Sequence, residues 1–245
     1  GFESFCVGRP LWEMPSITSR ICGICPVSHL LASAKACDAV LAVRIPPAAD
    51  KLRRLMNLAQ MAQSHATSFY PLSSPDFLLG FDCPPAERNI VGLAAKKPEI
   101  ARGGIRLRSF GQSIIQALGG RKVHPSWPIP GGVVSGLSIE DRDTIRRNLP
   151  EAIAFTVATL REFDGVLDKY ADEIDTFGKF PTLFMGLVTP EGDWEHHGGT
   201  LRVTDEAGKV LSEVAEADYQ QIVGEAVESD SYLKSPYYSP RGYPG

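Results

Sequence analysis

Two thiols and an imidazole lie close together in the segment Arg20-Ile21-Cys22-Gly23-Ile24-Cys25-Pro26-Val27-Ser28-His29. Pro26 has no backbone N–H to lose and a φ suited to a first helical turn, which predicts a helix starting there with Cys25 at its N-cap. Unpaired N–H groups at a helix start favour an anion, so a lowered pKa is expected at Cys25. The thiolate is the form that binds metals and attacks electrophiles. Gly23 permits a tight turn between the cysteines, so both sulfurs can converge on one ion. His29 follows four residues after Cys25 on the same helical face, placed to ligate or to orient a sulfur.

A C-x-x-C pair alone admits several chemistries. A redox dithiol of thioredoxin type needs a buried strand in front of it, and Met14-Pro15-Ser16-Ile17-Thr18-Ser19-Arg20 carries a proline and little apolar alternation. A structural zinc site needs four ligands, and Cys6, Cys37 and Cys83 stand singly rather than as a second pair. Each of these thiol modules, redox or zinc, stays open on the motif and lacks a part.

The flanking residues are more specific. Gly1-Phe2-Glu3, Gly8-Arg9-Pro10, the stretch from Arg20 to Pro26 with His29, and His65-Ala66-Thr67-Ser68-Phe69-Tyr70 followed by Asp76 together resemble the signatures of nickel-iron hydrogenase large subunits. Gly120-Arg121-Lys122-Val123-His124-Pro125 and Pro130-Gly131-Gly132 extend the resemblance over most of the chain. Glu13-Met14-Pro15-Ser16 and His124-Pro125-Ser126-Trp127 are most similar to the cytoplasmic NAD-reducing, or bidirectional, branch.

The resemblance implies Cys22 as a terminal nickel ligand and Cys25 as a bridge between nickel and iron, a pair that soft thiolates suit. It places His29 outside the coordination sphere, hydrogen-bonded to a bridging sulfur. Glu3 would ligate magnesium, Asp76 would hold a neighbouring arginine above the metals, and His65 would support the site from its helix. The implied cofactors are a nickel-iron centre, with carbon monoxide and cyanide on iron, and magnesium. The implied reaction is reversible heterolysis of hydrogen into two protons and two electrons. Electrons would leave through an iron-sulfur small subunit, since no cysteine spacing here suits a cluster, and pass on to a diaphorase module with NAD and flavin.

The family closes its site with a second C-x-x-C, whereas no cysteine follows Cys83. The expectation is therefore a partial large-subunit domain over residues 1–245, incomplete at both ends and inactive without the missing C-terminal half. The start lacks methionine and the end, Ser235-Pro236-Tyr237-Tyr238-Ser239-Pro240-Arg241-Gly242-Tyr243-Pro244-Gly245, reads as an interrupted connection. A metal-free scaffold or assembly subunit of the same fold is the alternative, and Cys22, Cys25 and His29 argue against it.

The elements that must position these residues read as mainly α with a peripheral antiparallel β part, an α+β fold on a truncated long-helix bundle. A first helix is expected from Pro26 to about Val43. A second starts at Pro46-Pro47 and carries Leu52, Leu55, Ala59, Ala62, Ala66 and Phe69 at helical spacing. A third runs from about Pro98 to Leu118 and stops at Gly119-Gly120. Ser138 and Asp141 form a capping box before a long amphipathic helix reaching Ile174, kinked at Pro150 and packed on the helix from Pro46. Thr200–Thr204 and Lys209–Glu213 flank a turn, which predicts a hairpin. The helical core is expected over about 9–178 and the β excursion over about 182–215.

Composition narrows the partners. The 245 residues are 43% hydrophobic, enough for a sizeable core, and the net charge of −4 with no basic run disfavours nucleic acid and anionic membrane. No apolar stretch approaches the roughly 20 residues that span a bilayer. Five cysteines without disulfide-like spacing suit a reducing compartment, so a cytoplasmic location is expected. Cys6, Cys37 and Cys83 read as small packed residues, His196-His197 as surface histidines, and Arg102, Arg106 and Arg108 as a solvated face or subunit contact. His65 reads equally as a core histidine and Asp76 equally as a loop or cap residue.

Overall fold

The computed structural model describes residues 2–243; Gly1 of the N-terminal signature, and Pro244 and Gly245 of the closing segment, lie outside the described residues. The chain divides into two compact units, one of residues 9–177 and one of residues 2–8 with 178–243.

The larger unit is helical. A short helix α2 (Met14–Thr18) follows α1 (Phe2–Cys6) of the other unit and precedes α3 (Pro26–Val40). α3 starts at Pro26 as the sequence requires, but it ends earlier than Val43 because Ala42 takes a positive φ of 52°. α4 (Pro47–Thr67) runs into a π turn (Ser68–Ser73), where Pro71 has no N–H to donate, and then α5 (Ser74–Leu79). α6 (Ile90–Lys96) is capped by Asn89, whose side chain accepts from the N–H groups of Val91 and Gly92. α7 (Pro98–Gly119) ends at Gly120 in the left-handed conformation, φ 73°, the stop its glycines predict.

The α3, α4 and α7 helices enclose the first core cluster, with Val27, Leu30, Met56, Ala59, Ile115 and Trp127 all buried. Gly111 lets α7 approach α4 closely: a Cβ there would stand 2.6 Å from the Ala59 carbonyl oxygen. A second cluster joins Ala66, Tyr70, Leu93, Ile100 and Ala101.

A two-stranded hairpin, β1 (Pro128–Ile129) and β2 (Gly132–Val133), is pinned to this core by a buried ion pair. Arg53 on α4 donates to Asp38 Oδ2 at 2.6 Å and to the carbonyl oxygens of Ile129 and Gly132, while Asp38 Oδ1 accepts from the Gly131 N–H at 2.7 Å. Gly131, with φ 89°, supplies the turn that other residues resist. The Pro130-Gly131-Gly132 signature is thus a tight turn capped by a charge pair.

The long helix is α8 (Ile139–Lys169), with Ser138 accepting from the Asp141 N–H as the capping box predicts, and it is followed by a separate α9 (Ala171–Thr176). Pro150 lies inside α8. The expected partner of this helix is corrected. α8 packs on α7 and the π turn rather than along α4, because Phe155 lies over Gly103, stacks on Tyr70 with ring centroids 5.5 Å apart, and Phe163 meets Phe69 edge-on.

The smaller unit is antiparallel β. β3 (Phe184–Val188), β4 (Trp194–Glu195), β5 (Thr200–Thr204) and β6 (Val210–Ala215) form a sheet in the order β4-β3-β5-β6. The β5–β6 hairpin is the one its turn residues predict. A second pair, β7 (Val223–Ala226) with β8 (Ser235–Tyr238), lies beyond the expected β span of 182–215. The class, mainly α with small antiparallel sheets, is the one expected.

Candidate metal centre

The C-x-x-C loop joins a 3-10 turn (Ser19–Ile21) to α3. Cys22 is extended, and Cys25 is the N-cap with Pro26 behind it in the first helical position. The preceding segment is the helix α2, so no strand feeds the pair as a thioredoxin-type dithiol needs. Among the described residues, Cys22, Cys25 and His29 form the single cluster of potential metal ligands, with their ligating atoms all within 4.8 Å of one another. Thr18 donates its hydroxyl to the His29 carbonyl at 3.2 Å, tying α2 to the first turns of α3.

The two sulfurs stand 2.7 Å apart, with the Cys25 thiol donating to Cys22 Sγ. Cys22 Sγ also accepts the backbone N–H groups of Cys25 at 3.1 Å and Ile24 at 3.4 Å. These donors, the Cys25 thiol first, hold Cys22 below the usual thiol range. Cys25 is pushed up to about 11, by burial first and then by the neighbouring Cys22. The expectation of thiolate character at Cys25 is therefore reversed. The extended Cys22 turns its sulfur back to the N–H groups of Ile24 and Cys25 and accepts from both, whereas burial works against the anion at Cys25.

Gln60 and Gln63, which sequence reasoning missed, reach the loop from α4. Both donate from Nε2 to the Ile24 carbonyl oxygen, at 2.9 and 2.8 Å. The available signal was two amides one turn apart on the same helical face as the apolar residues Met56, Ala59 and Ala66. Buried amides are costly unless bonded, so their presence there marks a specific acceptor. A small cavity of about 40 Å³ adjoins the loop, with Arg108, Gln112 and Lys122 in its wall.

The other expected site residues are not drawn into this cluster. Asp76, at the start of α5, pairs with Arg88 at 3.0 Å. His65 is exposed on α4, so it is not a core histidine in this chain. Glu3, in the smaller unit, pairs with Lys234 at 2.7 Å, and the same ammonium is 3.1 Å from Glu225. Lys234 lowers the Glu3 pKa. Cys37 is buried with its thiol toward the Leu11 carbonyl, and Cys83 is buried beside Lys96, away from the ligand cluster.

Soft sulfur donors with an adjacent imidazole suit nickel, iron or zinc better than magnesium or calcium. Three donors do not close a four-ligand zinc site. The donor set fits a wall of a thiolate metal centre.

The fold has counterparts among solved structures. An NAD+-reducing [NiFe]-hydrogenase in its H2-reduced state superposes with a TM-score of 0.95 at 43% identity, over 100% of this chain and 55% of that one. The Ni-Fe-Se hydrogenase of D. vulgaris Hildenborough shares the fold, with a TM-score of 0.75 at 22% identity over 97% of this chain and 56% of that one. The fold is that of nickel-iron hydrogenase large subunits.

The family model for nickel-dependent hydrogenases matches residues 1–88. One component of the F420-non-reducing hydrogenase vhu of Methanocaldococcus jannaschii is 43% identical over 244 residues, 100% of this chain and 58% of the relative. The beta component of the NAD-reducing hydrogenase HoxS of Cupriavidus necator is 38% identical over 254 residues, 99% of this chain and 52% of the relative. Along its whole length the chain is similar to nickel-dependent hydrogenase large subunits, and it spans little more than half the length of these relatives.

Proposed function

We propose that this chain provides one wall of the metal centre of a nickel-iron hydrogenase, a partial large-subunit domain over residues 1–245. The observation that carries the reading is the convergence of Cys22, Cys25 and His29 at the start of α3. Cys22 would hold nickel as a terminal ligand and Cys25 would hold both nickel and iron, the iron carrying carbon monoxide and cyanide. His29 does not ligate; it orients a sulfur from outside the coordination sphere. When bound, the nickel-iron centre supplies reversible heterolysis of hydrogen into two protons and two electrons.

The chain's own residues prepare the site. Cys22 is already held as the better anion by backbone donors, and Cys25 keeps its proton on a shared S–H···S bond until a metal replaces it. Metal binding to this pair therefore releases a proton. Two thiolates do not enclose the centre. The remaining length of the large subunit supplies the other ligands, an iron-sulfur subunit takes the electrons, and a diaphorase module passes them to NAD in the cytoplasm. Asp76, which in this chain pairs with Arg88, would hold an arginine above the metals, and the exposed His65 would support the site from α4. Glu3 would be the magnesium ligand, a carboxylate oxygen donor of the kind that ion takes; here it shares the Lys234 ammonium with Glu225.

Cys25→Ser in the assembled enzyme tests the reading. A hydroxyl does not bridge as a soft thiolate does. Hydrogen-dependent reduction and bound iron, measured by elemental analysis, are both expected to be lost. Unchanged activity with full metal content would reject the assignment.

A further inference from the structure

The loop between the two ligand cysteines is fastened from α4. Gln60 and Gln63 are 2% and 5% exposed, and both spend their amide N–H on the one carbonyl oxygen of Ile24. A carbonyl has two lone pairs, so the two amides fill its acceptor capacity. This oxygen and the Cys25 N–H belong to the same peptide group, which is planar and trans, so they point in opposite directions. Holding the oxygen toward α4 aims the N–H the other way, where it meets Cys22 Sγ at 3.1 Å. Donors on the oxygen also polarise the peptide and strengthen its N–H as a donor.

We propose that Gln60 and Gln63 are positioning residues that act on the Cys22 sulfur through the Ile24–Cys25 peptide, fixing an N–H···S bond on the terminal metal ligand. The inference rests on the reading of Cys22 as a nickel ligand. Such a bond draws electron density from the sulfur and makes the bound metal easier to reduce, as hydrogen bonds to sulfur do in other metal–thiolate sites. The clamp also resists rotation of the Ile24–Cys25 peptide, which is the motion that would turn this N–H off the sulfur. A carbonyl held by one donor keeps a direction of freedom, whereas two donors from adjacent turns on the buried face of α4 do not leave it one.

Gln60→Met and Gln63→Met keep side-chain length and remove the donor. In the metal-free chain, hydrogen exchange of the Cys25 amide is expected to quicken about tenfold in the double variant, the scale of losing one hydrogen bond, and less in each single variant. Amides in the middle of α7 should keep their protection. In the assembled, nickel-loaded enzyme the reduction potential of the centre should move to more negative values with metal content retained, a change that a merely structural role would not produce. Unchanged Cys25 exchange in the double variant, or an unchanged potential, overturns the proposal. Should the double variant not fold, the single variants decide: quickened exchange in both supports the clamp, and none in either rejects it. Assembled wild-type enzyme that holds no nickel overturns the reading of the site itself, which the amide exchange does not depend on.

Discussion

Cys25 donates its thiol hydrogen to Cys22 Sγ across 2.7 Å, and this bond is one of the interactions that make the two cysteines of the motif unequal. Cys22 is lowered by it and by backbone donors, while Cys25 is raised to about 11 by burial and by its neighbour. In the metal-free chain, iodoacetamide should therefore label Cys22 before Cys25 as pH rises, and Cys25 should follow toward its raised value. Peptide mapping by mass spectrometry reads the order. Preferential labelling of Cys25 would show that the helix start, not Cys22, holds the charge.

The parts of this site that were legible in sequence are those fixed by neighbours along the chain. Pro26 sets the start of α3, Ser138 sets that of α8, and Gly120 ends α7, each through a local backbone requirement. The position of Cys25 followed from the same logic. What was not legible depends on distant residues. Cys22 is the cysteine whose pKa is lowered because its extended backbone turns the sulfur back toward the N–H groups of Ile24 and Cys25, and the Ile24 carbonyl is fixed by residues 36 and 39 positions away. The partner of α8 was decided by aromatic rings on the π turn, an element that no apolar periodicity announces.

His29 lies within ligand reach of both sulfurs, yet is assigned to orient rather than to bind. His29→Ala in the assembled enzyme should then lower activity by about 10- to 100-fold, the range for partners outside the coordination sphere, with nickel and iron retained. Activity assay and metal analysis on the same preparation separate the cases. Loss of metal equal to that of Cys25→Ser would make His29 a ligand.

Arg53 and Asp38 form a charge pair inside the core, where Arg53 is fully buried. Removing one partner leaves the other charge buried without compensation. Arg53→Met should destabilise the chain by about 3–5 kcal/mol, measured by urea denaturation. Because Arg53 also binds the Ile129 and Gly132 carbonyl oxygens, protection of the β1–β2 hairpin should be lost with it. A cost within experimental error would mean the pair contributes nothing to the hairpin's attachment.

Two helical glycines should respond to alanine with opposite signs. At Gly111 a Cβ meets the Ala59 carbonyl oxygen at 2.6 Å and the Gln63 backbone N at 2.9 Å, so α7 must move off α4. Gly111→Ala is expected to cost about 1–3 kcal/mol as overpacking. At the exposed Gly165 on α8 a Cβ meets nothing within 4 Å. Gly165→Ala should stabilise by about 0.5–1 kcal/mol through helix propensity alone. Thermal melting of both variants provides the comparison, and equal shifts would contradict the close approach of α4 and α7.

Tyr70 links the π turn to α8 by donating its hydroxyl to Thr159 at 3.1 Å, and burial raises its pKa above the ordinary tyrosine value. A raised folded-state pKa means that the unfolded chain ionises first as pH climbs. The folded state then binds more protons than the unfolded one, and stability falls with rising pH. The stabilisation is intact below the unfolded value of about 10 and is lost as pH rises through the folded one. Tyr70→Phe removes the hydrogen bond, costing about 1 kcal/mol at neutral pH. It also removes this titration, so the difference between wild type and variant should shrink above about pH 10. Urea denaturation of both proteins at pH 8 and at alkaline pH measures it. Parallel stability curves across that range would mean that Tyr70 is free to ionise in the folded state, and that the α8 contact does not bury its hydroxyl.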